Sequence, residues 1–149
     1  MEYTVVARED LSPEDSQLLE SAQKAKDNAY APYSNFYVGA ALRLRNNEVV
    51  QGSNQENASF PAGLCAEKVG LSAASSLFPN VAVEKIAIST SKDDHMLTAP
   101  CGICRQSLVE YEERFGQKIA IILCNGDDVY IFASAKDLLP FSFDKKALD

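Results

Sequence analysis

Basic residues are in short supply: 14 Lys and Arg stand against 21 Asp and Glu, for a net charge of −7. That balance repels a phosphate backbone and disfavours a nucleic-acid partner. Long apolar runs are lacking as well. No window approaches the roughly 18 consecutive apolar residues of a membrane helix, and the acidic, polar start has neither the basic nor the apolar region of a secretion signal. The expectation is a cytoplasmic protein without membrane contact. Seven Gly and six Pro in 149 residues exclude a collagen-like chain. The 46% hydrophobic content suffices for a core, and the length suits one domain spanning residues 1–149. The single histidine, His95, lies in a polar run with Asp93 and Asp94 and reads as solvated, so any metal site must rely on other ligands. A domain of this size needs no disulfide staples, and two of its four cysteines form a Cys-x-x-Cys motif. Metal or redox chemistry becomes the first question.

Ser12-Pro13-Glu14-Asp15 reads as a helix start, with Ser12 as N-cap, Pro13 at the first helical position and acids at the positive end of the dipole. Leu18, Leu19, Ala22, Ala25 and Ala29 continue at helical spacing until Pro32. From Tyr37 to Arg45 the period becomes two, with Val38, Ala40, Leu42 and Leu44 on one face of a strand. Asn46-Asn47 turns the chain into a second strand, Glu48 to Ser53. Helix follows from about Cys65 to Leu77, strand from Val83 to Thr90, and a polar loop from Ser91 to Ala99. A further helix runs from Cys101 or Gly102 to Phe115, ended by Gly116. Strands Lys118 to Cys124 and Val129 to Ala133 flank a turn too short for a crossover, so they should be antiparallel neighbours. A short helix near Ala135 to Leu139 closes the pattern. The order α-β-β-α-β-α-β-β predicts a three-layer α/β domain around a five-stranded mixed sheet.

Cys101 and Cys104 fall at i and i+3 on the first turn of a predicted helix, where the dipole favours thiolates. By itself this spacing fits a metal site, a dithiol redox centre or a structural clip equally. Cys65-Ala66-Glu67 opens the other central helix in the same way. Two helices on one sheet face can aim their N-termini at a common point, where Cys65, Cys101 and Cys104 would bind zinc and leave a fourth position open for water. Glu67 is then placed to accept a proton from that water, although a Glu in a first helical turn also serves simply to complement the dipole. Cys124, at the end of a strand, reads as a small core residue.

Cys-x-Glu followed by Pro-Cys-x-x-Cys resembles the zinc-dependent cytidine deaminase superfamily in its three-cysteine form. The run Ala31 to Ala41, the segment Asn54-Gln55-Glu56-Asn57-Ala58 and Leu138-Leu139-Pro140 extend the resemblance to the small free-nucleoside cytidine deaminases across nearly the whole chain. The resemblance implies the three-layer cytidine deaminase-like fold, a Zn2+ cofactor, and hydrolytic deamination of cytidine or deoxycytidine with release of ammonia, in pyrimidine salvage. It assigns the proton shuttle to Glu67, the ribose hydroxyls to Asn54 and Glu56, the face of the pyrimidine to Phe36, and its edge to backbone groups near Ala66 and the 99–102 turn. It also implies a homotetramer in which Phe143 caps a neighbour's site. Residue types alone would make Phe36 core, Asn54 part of a turn network, Glu56 a solvated acid and the 138–143 tail an intramolecular contact.

Two positions depart from the family pattern. Lys68 replaces the more usual Arg after the Glu, exchanging a fork that can bond two sulfurs for a point charge. Gly70 interrupts a helix at a cost of about 1 kcal/mol unless close packing requires it. Deaminases of blasticidin S share the zinc framework and are the nearest alternative. A non-catalytic zinc or binding module would use the same cysteines but would not need Glu67, and a dithiol oxidoreductase would leave Cys65 and Glu67 unexplained.

Overall fold

Period-two alternation along three central strands sorts the core onto two sheet faces. In the computed structural model, which describes residues 1–92 and 96–149, Ala40, Leu42 and Leu44 of strand β2 (Val38–Leu44) face one way, and Ala41 faces the other. Ile86 and Ile88 oppose Ala87 in β4 (Val83–Thr90), and Ile121 and Leu123 oppose Ile122 in β5 (Ala120–Asn125). Helix α1 (Pro13–Ala25) covers one face through Leu18, Leu19 and Ala22. Helices α2 (Ala66–Leu77) and α3 (Gly102–Phe115) contribute Leu71, Ala74, Leu108 and Val109 to the core on the other. The result is the expected α-β-α sandwich. Asp93, Asp94 and His95, read above as solvated, lie outside the described residues.

The local signals act as read. Ser12 accepts a hydrogen bond from the Asp15 amide at 3.2 Å, with Pro13 in the first turn, and Gly116 ends α3 in the left-handed region at φ 61°. The short helix expected near Ala135 to Leu139 is a 3-10 turn, Ala135–Leu138, and a second such turn, Lys145–Leu148, follows it. Cys124 is buried beneath α1. Gly70 packs against the Leu42 side chain, whose end would lie 2.5 Å from an added Cβ, and its own backbone crowds Gly52 in β3 (Val49–Ser53).

Among the described residues the sheet has six strands, not five: with β1 (Tyr3–Ala7) and β6 (Asp128–Phe132) the order is β1-β6-β5-β4-β2-β3. The additional strand, β1, pairs antiparallel with β6 at the sheet edge. Its first three residues are exposed, so no buried alternation marks it. It is held by the β6 ladder and by Tyr3, whose ring lies 5.7 Å from Tyr130 and 5.5 Å from Phe132. β5 and β6 are antiparallel as expected, while β4 and β5, joined through α3, pair in parallel.

Candidate metal centre and active site

Cys65 and Cys101 occupy equivalent places: each is the N-cap of its helix, in extended conformation, with a side chain that caps no backbone amide. Both thiols are therefore free to point beyond the helix ends. Cys104, one turn into α3, is buried and completes a cluster whose three sulfurs all lie within 4.8 Å of one another. Thiolates bound tetrahedrally at about 2.3 Å from one zinc ion lie about 3.8 Å apart. The Cys65 and Cys101 sulfurs are separated by 3.8 Å, so the donor set fits zinc in chemistry and in spacing.

The electrostatics favour thiolate at Cys65. Hydrogen bonding from Cys104 lowers the Cys65 thiol to about 6, with Lys68 adding to the effect, and the same interaction raises Cys104. Lys68 thus acts on the cluster as a nearby positive charge. Glu67 is 5% exposed, and burial raises its carboxyl to about 7, a value suited to both taking up and releasing a proton.

The cysteines open onto a cavity of about 570 Å³. Phe36, Asn54, Glu56, Ala66 and Glu67 all contribute to its lining, together with Cys65 and Cys101. Phe36 is half-buried there rather than part of the core. Asn54 is tied to the backbone, accepting from the Val38 amide and donating to the Phe36 carbonyl, each at 2.8 Å. These two bonds use one of its two N–H donors and one of its acceptor positions. Glu56 accepts from the Tyr33 and Ser34 amides at 3.0 and 3.1 Å and from the Ser34 hydroxyl at 2.5 Å. That hydroxyl is the main reason its carboxyl sits below the usual range. Phe143 is not among the cavity residues; it is 61% exposed and its carbonyl accepts from Gln106.

The cavity also contains residues that the sequence did not single out, among them Ile88, Thr90 and Ile103. Ile88 and Thr90 alternate at the end of β4, a signal the period-two pattern carried without indicating that a cavity lay beyond it.

The model of the cytidine and deoxycytidylate deaminase zinc-binding region matches residues 12–116. The chain belongs to this family. Among curated members, it is 40% identical to the cytidine deaminase of Halalkalibacterium halodurans over 93 residues, 62% of this chain and 68% of that one. It is 33% identical to the cytidine deaminase of Mycoplasma genitalium over 129 residues, 86% of this chain and 94% of the relative. The crystal structure of cytidine deaminase from Burkholderia pseudomallei superposes with a TM-score of 0.76 at 39% identity, covering 89% of this chain and all of that one. The family's zinc-binding region thus includes all three clustered thiols and Glu67.

Proposed function

We propose that the chain is a zinc-dependent hydrolase that deaminates cytidine and deoxycytidine to uridine and deoxyuridine. The observation that carries this reading is the presence of a buried carboxyl, Glu67, beside a three-thiol zinc site in one cavity. A structural zinc clip needs no such group, and burying a carboxyl without a use for it is costly.

Cys65, Cys101 and Cys104 would hold the zinc, which when bound would lower the pKa of water toward 7 and so supply a nucleophile for C4 of the base. Glu67 takes a proton from the attacking water and delivers it to N3, then takes the remaining proton of the C4 hydroxyl and delivers it to the amine, which leaves as ammonia as the C4 carbonyl forms. Phe36 packs against the pyrimidine. The Ala66 amide is in the first turn of α2, where backbone N–H groups have no intrahelical acceptor, so it can donate to the edge of the base. The backbone of the 99–102 turn supplies the remaining edge contacts. Asn54 retains a free N–H and Glu56 retains acceptor capacity for the ribose hydroxyls.

The biological setting we propose is pyrimidine salvage in the cytoplasm, with a free nucleoside rather than nucleic acid as substrate. The net charge of −7 supports that choice. No helix among the described residues is long and apolar enough to cross a membrane. We assign the working form as a homotetramer in which Phe143 closes a neighbour's cavity. Exposure of Phe141 at 97% and Phe143 at 61%, beside the buried Leu138, supports an intermolecular role for the end of the tail.

The test is ultraviolet absorbance with cytidine, deoxycytidine, cytosine and blasticidin S, with zinc content and light-scattering mass measured on the same sample. Turnover of the two nucleosides at one zinc per chain is expected. Selective turnover of blasticidin S would replace the nucleoside assignment, and full zinc with no turnover would favour a structural metal site.

A further inference from the structure

We propose that Arg105 is a positioning residue, whose guanidinium fixes the peptide leading into Cys101 and thereby sets the direction of that thiol toward the metal. The proposal rests on the zinc reading of the three-thiol cluster.

The two N-cap cysteines are approached differently. The chain entering Cys65 is pinned by a backbone bridge, with Gln55 and Leu64 exchanging hydrogen bonds at 2.9 Å in both directions. The chain entering Cys101 is pinned by a side chain. Arg105 Nε donates to the Pro100 carbonyl at 2.7 Å, and Arg105 Nη1 donates to the Leu138 carbonyl at 3.0 Å. The Pro100 carbonyl belongs to the peptide that carries the Cys101 nitrogen, so its direction constrains how Cys101 enters the helix. Cys101 is the ligand most in need of such help, because it is exposed, whereas Cys104 is buried within α3.

The other anchor is itself rigid. Leu138 ends the 3-10 turn that begins at Ala135, and buried Glu112 holds the start of that turn. Glu112 accepts from the Ser134 hydroxyl at 2.9 Å and from the Ala135 amide at 2.7 Å, and also from the Ile119 amide at 2.8 Å at the approach to β5. A chain of contacts therefore runs from Glu112 through the 135–138 turn to Arg105 and on to Pro100. Two donors fixed in one plane suit this task. A lysine would present a single rotatable ammonium and would not hold both carbonyls at their present separation. Loss of the fork leaves the Pro100 and Leu138 carbonyls without this donor.

The test compares wild type with Arg105→Lys and Arg105→Gln, the lysine variant serving if the glutamine variant fails to fold. Zinc affinity is measured by competition with a chromophoric chelator, and ligand geometry by the visible spectrum of the Co2+-substituted proteins, well below their unfolding temperatures. Groups that orient a metal ligand typically contribute about 10–100-fold to metal affinity or activity. We expect a loss in that range, an altered cobalt spectrum, and a fall in kcat with little change in KM. Folded variants with wild-type zinc affinity and cobalt spectrum, even with a lowered melting temperature, would overturn the positioning role and leave the zinc reading standing. A wild-type chain that takes up neither metal would overturn the zinc reading and this proposal with it.

Discussion

Gly52 and Gly70 bring β3 and α2 into backbone contact: a Cβ on Gly52 would lie 2.2 Å from the Ala66 carbonyl oxygen and 2.5 Å from the Gly70 nitrogen. Neither neighbour can move without shifting α2, the helix that begins beside Cys65 and carries Glu67. We expect Gly52→Ala to cost about 3 kcal/mol or more and to weaken zinc binding as well. At Gly70 the added carbon would meet the end of the Leu42 side chain at 2.5 Å, a softer obstacle. Helix propensity there returns about 1 kcal/mol, so Gly70→Ala should cost less than Gly52→Ala. Urea denaturation of both variants checks the order.

Glu56 gives a pH dependence of defined sign. Its carboxyl is held below the ordinary value of 4.5, first by the Ser34 hydroxyl and then by the backbone amides of Ser34 and Tyr33. A lowered folded pKa means that the stabilisation is complete above the unfolded value and is lost as pH falls through the folded one. The melting-temperature difference between wild type and Glu56→Gln should therefore stay constant from pH 5 to 8 and shrink at lower pH. A scanning-calorimetry series provides the measurement. By the ribose assignment, Glu56→Ala should also impair nucleosides more than free cytosine.

Glu112 carries a structural load that its place late in α3 does not advertise. Replacing it with Ala would strand the Ile119 and Ala135 amides and the Ser134 hydroxyl in a buried region. About 2–4 kcal/mol of stability should be lost. Guanidinium denaturation of Glu112→Ala, with Glu112→Gln retaining one acceptor oxygen and an intermediate loss, tests this.

Strand β1 is separable from the chemistry. Deleting residues 1–7 removes the Tyr3 ring contacts and leaves the β6 edge open. The melting temperature should fall and the tendency to aggregate should rise, while zinc stoichiometry stays at wild type, because the residues of the cavity begin only at Phe36. Calorimetry, light scattering and metal analysis on one preparation decide the matter.

The same contrast explains what could be read from the sequence. Ala40, Leu42 and Leu44 alternate with Ala41 because one sheet face packs on α2 and α3 and the other on α1, and burial of that kind leaves a period in the sequence. Tyr3, Thr4 and Val5 are exposed, so β1 leaves no such trace; only its pairing with β6 makes it a strand. In the site, Cys65, Glu67, Cys101 and Cys104 were legible because thiols at two helix starts have few other uses. Arg105 and Glu112 were not, since their acceptors and donors come from Leu138, Ile119, Ser134 and Ala135, up to 33 positions away in the chain. Gly70 was visible as an anomaly, and the side chain that crowds it, Leu42, lies in another element.

Deamination by this site joins a metal held by three thiols to a proton carried by Glu67. Cytidine turnover and zinc content, measured together on wild type and Glu67→Gln, test it most directly. One zinc per chain is expected in both proteins, with brisk loss of cytidine absorbance with wild type and a fall in kcat of at least about 100-fold in the variant. A zinc-loaded Glu67→Gln variant that deaminates cytidine at near the wild-type rate would contradict it.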